Sequence, residues 1–343
     1  MKKRKKNVWL GVAAGVATLL AAKNIFDKLT EYSLKDKVVL ITGGSRGLGL
    51  ILARKAASEG AKVAICARKQ SELDIALKDL SHITKNVLAI PCDLRVRYDI
   101  IKMIEKITAQ WGPVDVLINN AGIIQVGPEA EMTEMEYDQA MKIHFWAPLH
   151  TILEVLPAMK KRRSGRIVNI VSIGGKISFP HLLPYNASKF ALAGLSEGLY
   201  AELKKYGITV STIYPGLMRT GSPRNINVKG KNELEYAWFK ITDSLPLLSV
   251  KAEYAASRIL QTVKTGKAHQ VISLPAKLAI GFHDLFPERF LDIMAIVNDL
   301  LPDADGQGKE SVKGYESESK ITRSFLTRLT NRAAKRNNEI VEK

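Results

Sequence analysis

The chain has 343 residues, 46% hydrophobic and 25% charged, which excludes a disordered, collagen-like or polytopic membrane protein and leaves room for one large domain with extensions. Two cysteines are too few for a disulfide scaffold or a cysteine-rich zinc site, and the six histidines show no metal-ligand spacing. Fifty-one Lys and Arg residues against 34 Asp and Glu give +17, which points to an anionic partner: nucleic acid, an acidic lipid surface or a phosphorylated small molecule.

The first 33 residues form a segment of their own. Lys2, Lys3, Arg4, Lys5 and Lys6 precede an uncharged run from Val8 to Ala22. Fifteen helical residues reach roughly 22 Å, short of a hydrocarbon core of about 30 Å. The run reads as a shallow, uncleaved membrane anchor, with a full span or a cleaved signal as the alternatives.

From Leu34 to Pro275 short apolar strands alternate with helical stretches. Strands are expected at Val38–Thr42, Lys62–Ala67, Val87–Cys92, Val114–Asn119, Arg166–Ser172, Ile208–Tyr214 and Val271–Leu274. Helices are expected at Gly47–Ser58 and Ser71–Leu80, through Trp111, over Thr133–Met159 as one long element, and over Tyr185–Tyr206. Strands that are apolar throughout, joined by helical crossovers, indicate a parallel sheet covered on both faces. That is an α/β, doubly wound fold of the Rossmann kind. Cys66 and Cys92 end neighbouring strands and read as buried, reduced thiols.

Chemistry enters at the strand ends. Thr42-Gly43-Gly44-Ser45-Arg46-Gly47-Leu48-Gly49 follows the first strand, and such glycines let a backbone approach a pyrophosphate at the positive end of the next helix. Asn119-Asn120-Ala121-Gly122 closes the fourth strand, and Ser172 follows the fifth. Tyr185-Asn186-Ala187-Ser188-Lys189 opens a helix, and Pro215-Gly216 ends the sixth strand. In this order the motifs resemble the short-chain dehydrogenase/reductase family over residues 34–275.

The resemblance implies an NAD(P)-dependent oxidoreductase, usually a homodimer or homotetramer, in which Tyr185 transfers the proton. A free tyrosine titrates near 10. Lys189, four residues on and on the same helical face, is expected to lower that value and to hold the ribose. Ser172 would bond the substrate oxygen. Where the family has an asparagine that helps to hold a water relaying protons from the lysine, this chain reads Ile143-His144-Phe145. His144 is either a polar link in that relay or a packed helix histidine bonded to a backbone carbonyl.

An NAD site ends its second strand with a carboxylate for the ribose 2′-hydroxyl. Here that strand ends in Arg68 and Lys69 with no acid, and Arg46 lies in the glycine turn. Two guanidinium groups suit a 2′-phosphate, so NADP(H) is the expected cofactor. The resemblance places Asp93 and Leu94 beside the adenine. It places Asn120, Ala121 and Gly122 on the adenosine side, and Thr220, beyond Pro215 and Gly216, within reach of the carboxamide.

Leu217–Leu245 falls where the family carries a substrate lid, and Met218, Trp238 and Phe239 suit an apolar pocket. Two amphipathic helices broken at Pro287 are expected next, then a flexible polar linker over 302–320. Ile321, Phe325, Leu329 and Ala333, spaced by four among Arg323, Arg328, Arg332, Lys335 and Arg336, read as a basic amphipathic helix. It suits an anionic membrane surface, or packing on the domain or on a second subunit.

The leading expectation is a membrane-associated NADP(H)-dependent enzyme interconverting a carbonyl and a secondary alcohol on a lipophilic substrate, with its catalytic domain on the cytoplasmic side. Long-chain ketoacyl compounds, sphingoid bases and steroids all fit that description. The alternative is a catalytically weakened dinucleotide-sensing or scaffold protein. Nucleic acid is set aside, because the basic clusters carry no interleaved aromatics or recognised motif.

Overall fold

The structure is a computed structural model that describes residues 31–304, 306 and 310–340; the expected anchor at Val8–Ala22 lies outside the described residues. Seven parallel strands, β1 (Val38–Thr42), β2 (Lys62–Ala67), β3 (Val87–Pro91), β4 (Val116–Asn119), β5 (Gly165–Ile170), β6 (Ile208–Pro215) and β7 (His269–Ile272), build one sheet. Their order is β7-β6-β5-β4-β1-β2-β3. Alternate residues feed two cores. Val39, Ile41, Val63 and Ile65 face helices α1 (Gly47–Ser58), α2 (Gln70–Ser81) and α8 (Ala252–Thr265), whereas Val38, Leu40, Ala64 and Cys66 face α3 (Arg97–Trp111), α5 (Ala147–Arg162) and α6 (Leu183–Leu203). Each fully buried Val, Leu or Ile contributes roughly 1.5–3 kcal/mol, so burial on both faces fixes these strands centrally. The strand order reverses between β1 and β4, which leaves a crevice above their carboxyl ends.

One long helix was expected over Thr133–Met159. Instead α4 (Glu134–Met141) passes through a π-helical turn, Lys142–Trp146, into α5. Pro148 lacks the amide that would close an α-helical bond to the His144 carbonyl, and the wider turn falls there.

Behind the crevice runs a buried polar ladder. Thr151 Oγ1 donates to Asn119 Oδ1 at 2.8 Å, Asn119 Nδ2 to Asn169 Oδ1 at 2.9 Å, and Asn169 Nδ2 to Ser196 Oγ at 3.0 Å. Ser196 meets Thr212 Oγ1 at 2.6 Å. This chain ties α5, β4, β5, α6 and β6 together with every member partnered. Asn119, read from sequence as part of the site motif, is therefore a structural member.

The C-terminal third packs onto the domain. Helices α9 (Leu274–Leu285) and α10 (Pro287–Asp299), with α7 (Asn232–Ser244), flank the crevice. The expected linker is anchored from residue 312 on: Val312–Lys313 pairs with Asn227–Val228, and Glu318 receives Arg224 at 2.8 Å and buried Lys240 at 3.1 Å. These partners hold a polar segment that composition alone reads as unattached. The tail helix α11 (Arg328–Arg336) also differs from expectation. Thr330, Ala333 and Ala334 face the domain, while Phe325 and Leu329 lie exposed on the outside.

Replacing Asn169 with Ala strands the Asn119 side-chain amide and leaves Ser196 with Thr212 alone. A loss of about 3 kcal/mol is expected in urea unfolding. An unchanged midpoint would show that the ladder contributes nothing to stability.

Candidate active site

The glycine turn between β1 and α1 is held from across the sheet. Thr42 Oγ1 accepts from the amides of Asn120 at 2.9 Å and Ala121 at 3.1 Å, and Asn120 Nδ2 donates to the carbonyls of Thr42 and Gly43. Asn120 thus shapes the turn rather than simply lining the cavity. At the start of α1, among the described residues, the amides of Leu48 and Gly49 have no acceptor. They are the orphan donors that an anion at a helix N-terminus satisfies.

A cavity of about 980 Å³ runs from this turn to the start of α6. Gly43, Ser45, Arg46, Gly47, Leu48 and Gly49 line one end, and Ser172, Tyr185, Lys189 and His144 the other. Arg68, Leu94, Asn120, Ala121, Gly122, Pro215, Gly216 and Thr220 also line it, so nearly all the expected residues converge. Asp93 does not line it: Arg95 grips its carboxylate, holding it below the usual carboxylate range, and Leu94 and Arg95 take the wall. The Thr220 hydroxyl is engaged by Ser222 at 2.8 Å.

Glu72 and Lys313 were missed by sequence reasoning, as was Glu339. Glu72, on the first turn of α2, accepts from Ser45 Oγ at 3.2 Å and Arg46 Nη1 at 3.2 Å. An acid therefore reaches the adenosine end although β2 ends without one. Lys313, from the expected linker, joins Arg46, Arg68 and Lys69; burial and these three cations push its ammonium below its usual value. None of the three sits in a motif, and only tertiary packing brings them here.

At the chemical end, Ser172 Oγ accepts from Gly174 N at 3.1 Å. Lys189 is buried and donates to the Ile170 carbonyl at 2.9 Å, its Nζ 5.7 Å from the Tyr185 ring centroid. Sequence reasoning has the ammonium lowering the phenol. In the structure desolvation wins: burial pushes the Tyr185 phenol up to about 12, with Ser172 pulling it back in part, and burial lowers Lys189 to about 7. Burial thus keeps the Tyr185 phenol in its protonated form at neutral pH.

His144 stands edge-on to Tyr185, with ring centroids 5.4 Å apart. Its Nε2 accepts from the Ile123 amide at 3.1 Å, and its Nδ1 lies 2.7 Å from Ser188 Oγ, which itself donates to the Tyr185 carbonyl at 2.8 Å. That network assigns the proton to Nδ1. Burial, reinforced by Lys189, pushes the imidazole well below its usual value, so it stays neutral. A Cβ on Gly122 would lie 3.0 Å from Nε2, so glycine lets the ring sit this close. Both nitrogens are committed to protein partners, a backbone amide and the Ser188 hydroxyl rather than the expected backbone carbonyl, and these bonds tie the ring to the start of α6.

A fold with a crevice at the strand-order reversal, orphan amides at a glycine turn, and a Ser, Tyr and Lys at its far end defines a dinucleotide-dependent oxidoreductase. The model of the short chain dehydrogenase family matches residues 37–230. The zebrafish (Danio rerio) dehydrogenase/reductase SDR family member 7B is 32% identical over 292 residues, spanning 83% of this chain and 93% of its own. An uncharacterized oxidoreductase of Bacillus subtilis is 33% identical over 247 residues, spanning 68% and 96%. A solved short-chain dehydrogenase from Streptomyces avermitilis superposes with a TM-score of 0.65 at 29% identity, covering 77% of this chain and 98% of that one. The chain belongs to the short-chain dehydrogenase/reductase family, whose members are oxidoreductases using nicotinamide dinucleotides.

Tyr185→Phe keeps the ring and removes only the proton. Turnover is expected to fall about 1,000-fold, within the range for a lost general acid, with cofactor affinity little changed. Retention of more than a tenth of the activity would exclude Tyr185 as the donor.

Proposed function

We propose that the protein is an NADP(H)-dependent reductase that converts a lipophilic ketone to a secondary alcohol at a membrane surface. The single observation carrying the substrate class is the far wall of the cavity, formed by Phe179, Met218, Trp238, Phe239, Val297 and Leu301. Around that mouth α9 and α10 expose Leu278, Leu285, Phe286, Leu291, Ile296 and Leu300, with Leu285 at 74% and Leu300 at 81%. So many exposed large apolar side chains on two successive helices suit an interaction site, and a bilayer would both cover them and deliver an apolar substrate. Among the described residues no helix is long and apolar enough to cross a membrane.

Leu48 and Gly49 would hold the pyrophosphate, and Lys189 the ribose. Arg46, Arg68, Lys69 and Lys313 form the cationic group that favours a 2′-phosphate. When bound, the nicotinamide supplies the hydride and, once oxidised, a positive charge. The chain's own residues do the rest: Ser172 holds the carbonyl oxygen and Tyr185 gives that oxygen its proton. Intact Ser172, Tyr185 and Lys189 favour turnover over cofactor sensing alone.

Replacing Arg46 and Arg68 together with Gln is expected to weaken NADPH binding at least tenfold more than NADH binding in fluorescence titrations; equal losses would remove the 2′-phosphate assignment. Ketones of increasing chain length, assayed with detergent-solubilised protein, test the pocket. With about 0.8 kcal/mol per buried methylene, kcat/KM should rise roughly tenfold for every two carbons until the pocket is filled. A flat series, or preference for small polar ketones, would refute the lipophilic reading.

A further inference from the structure

Beyond α11 the chain lies across the start of α1, the place where the dinucleotide phosphates are expected. The Asn337 carbonyl accepts from the Gly47 amide at 2.8 Å. Asn338 Nδ2 donates to the carbonyls of Ser45 at 2.9 Å and Glu72 at 3.2 Å. The Glu339 carboxylate receives Asn225 Nδ2 at 2.6 Å and lies 3.5 Å from Arg46 Nε. Gly47 has φ +55°, and a Cβ there would collide with Glu339 Oε1, so the carboxylate rests directly on the turn. All three residues are buried, Asn337 at 1%, Asn338 at 9% and Glu339 at 4% exposure. From behind, Arg54 holds the Arg336 carbonyl at 2.9 Å, Asn337 Nδ2 donates to the Thr220 carbonyl at 3.2 Å, and Ala334 packs on Gly221.

A buried carboxylate is costly unless something compensates its charge. The compensation here is the Asn225 side-chain amide and the Arg46 guanidinium, and a guanidinium beside the N-terminus of a helix is also what recognises a phosphate. We propose that the segment Asn337–Glu339 is an internal pseudo-ligand: it covers the glycine turn by holding the Gly47 amide and Arg46, and the chain's own tail and the pyrophosphate of the cofactor bind there in competition. This rests on reading the glycine turn as the dinucleotide site. Burial pushes the Glu339 carboxyl up to about 7, with Glu72 adding to the rise, which fits a group held in place against its own solvation. The tail then sets cofactor affinity, because a site closed for most of the time binds with an affinity reduced by the open fraction. The segment lies close to 300 residues from the turn in sequence, so trimming or displacing the C-terminus acts on the cofactor without touching the domain core.

Calorimetric titration of NADPH, ADP and adenosine into the full chain, into Glu339→Gln and into a chain ending at Arg336 tests this. NADPH and ADP are expected to bind at least fivefold more tightly to the shortened chain and severalfold more tightly to Glu339→Gln, while adenosine, which has no phosphate, binds all three alike. A synthetic peptide of residues 330–340 should compete with NADPH for the shortened chain. The isosteric Glu339→Gln variant keeps the test decisive if the shortened chain does not fold. Unchanged or weaker NADPH and ADP binding in the variants would overturn the gate while leaving the dinucleotide site standing. Absence of nucleotide binding in every form would overturn both.

Discussion

Everything in this site depends on holding polar groups at the carboxyl edge of a sheet whose strands are otherwise apolar. The Thr42 hydroxyl collecting two amides from the Asn120–Ala121 turn is the smallest version of that constraint. The ladder from Thr151 through Asn119 and Asn169 to Ser196 is the larger one. In a low-dielectric interior such groups must all be partnered, and partnered groups are rigid. The glycine turn, the start of α6 and the strand ends are therefore fixed relative to one another before any ligand arrives.

That rigidity sets the electrostatics. Lys189 and Tyr185 lie on one face of α6, yet each is shaped more by loss of water than by the other: burial takes the lysine to about 7 and the phenol to about 12. A lysine whose charge is this weakly held responds strongly to whatever anion or hydroxyl comes beside it. At the opposite end Glu72, Glu339 and four cations share one small volume, and a dinucleotide entering there exchanges one set of ion pairs for another. Of the two ends, the cationic one is open to competition from the chain itself.

Much of this was legible in the sequence, for identifiable reasons. Strands buried on both faces read as unbroken apolar runs, so β1, β2 and α1 fall where their residues predict. The glycine turn, Ser172, Tyr185 and Lys189 converge because each sits at a strand end or helix start that the crossover pattern already locates. The π turn at Lys142–Trp146 was invisible, since one widened turn barely disturbs helical periodicity. Lys313, Glu72 and Glu339 were invisible too, because nothing local marks them. The segment over 302–320 looked unattached on composition, but Glu318 is gripped by Arg224 and Lys240 from distant parts of the chain. For His144 the sequence left two readings open, and neither anticipated its bonds to the Ile123 amide and the Ser188 hydroxyl.

The central claim is that this site reduces a carbonyl with a hydride from a nicotinamide and a proton from Tyr185. Single-turnover reaction with NADPH deuterated on the transferred face of the nicotinamide C4, on a long-chain ketone, followed by mass spectrometry of the product, tests it most directly. The account predicts one deuterium on the carbinol carbon of the alcohol. Cofactor oxidation without deuterated alcohol, or no reaction with any ketone under conditions where the cofactor is bound, would contradict it.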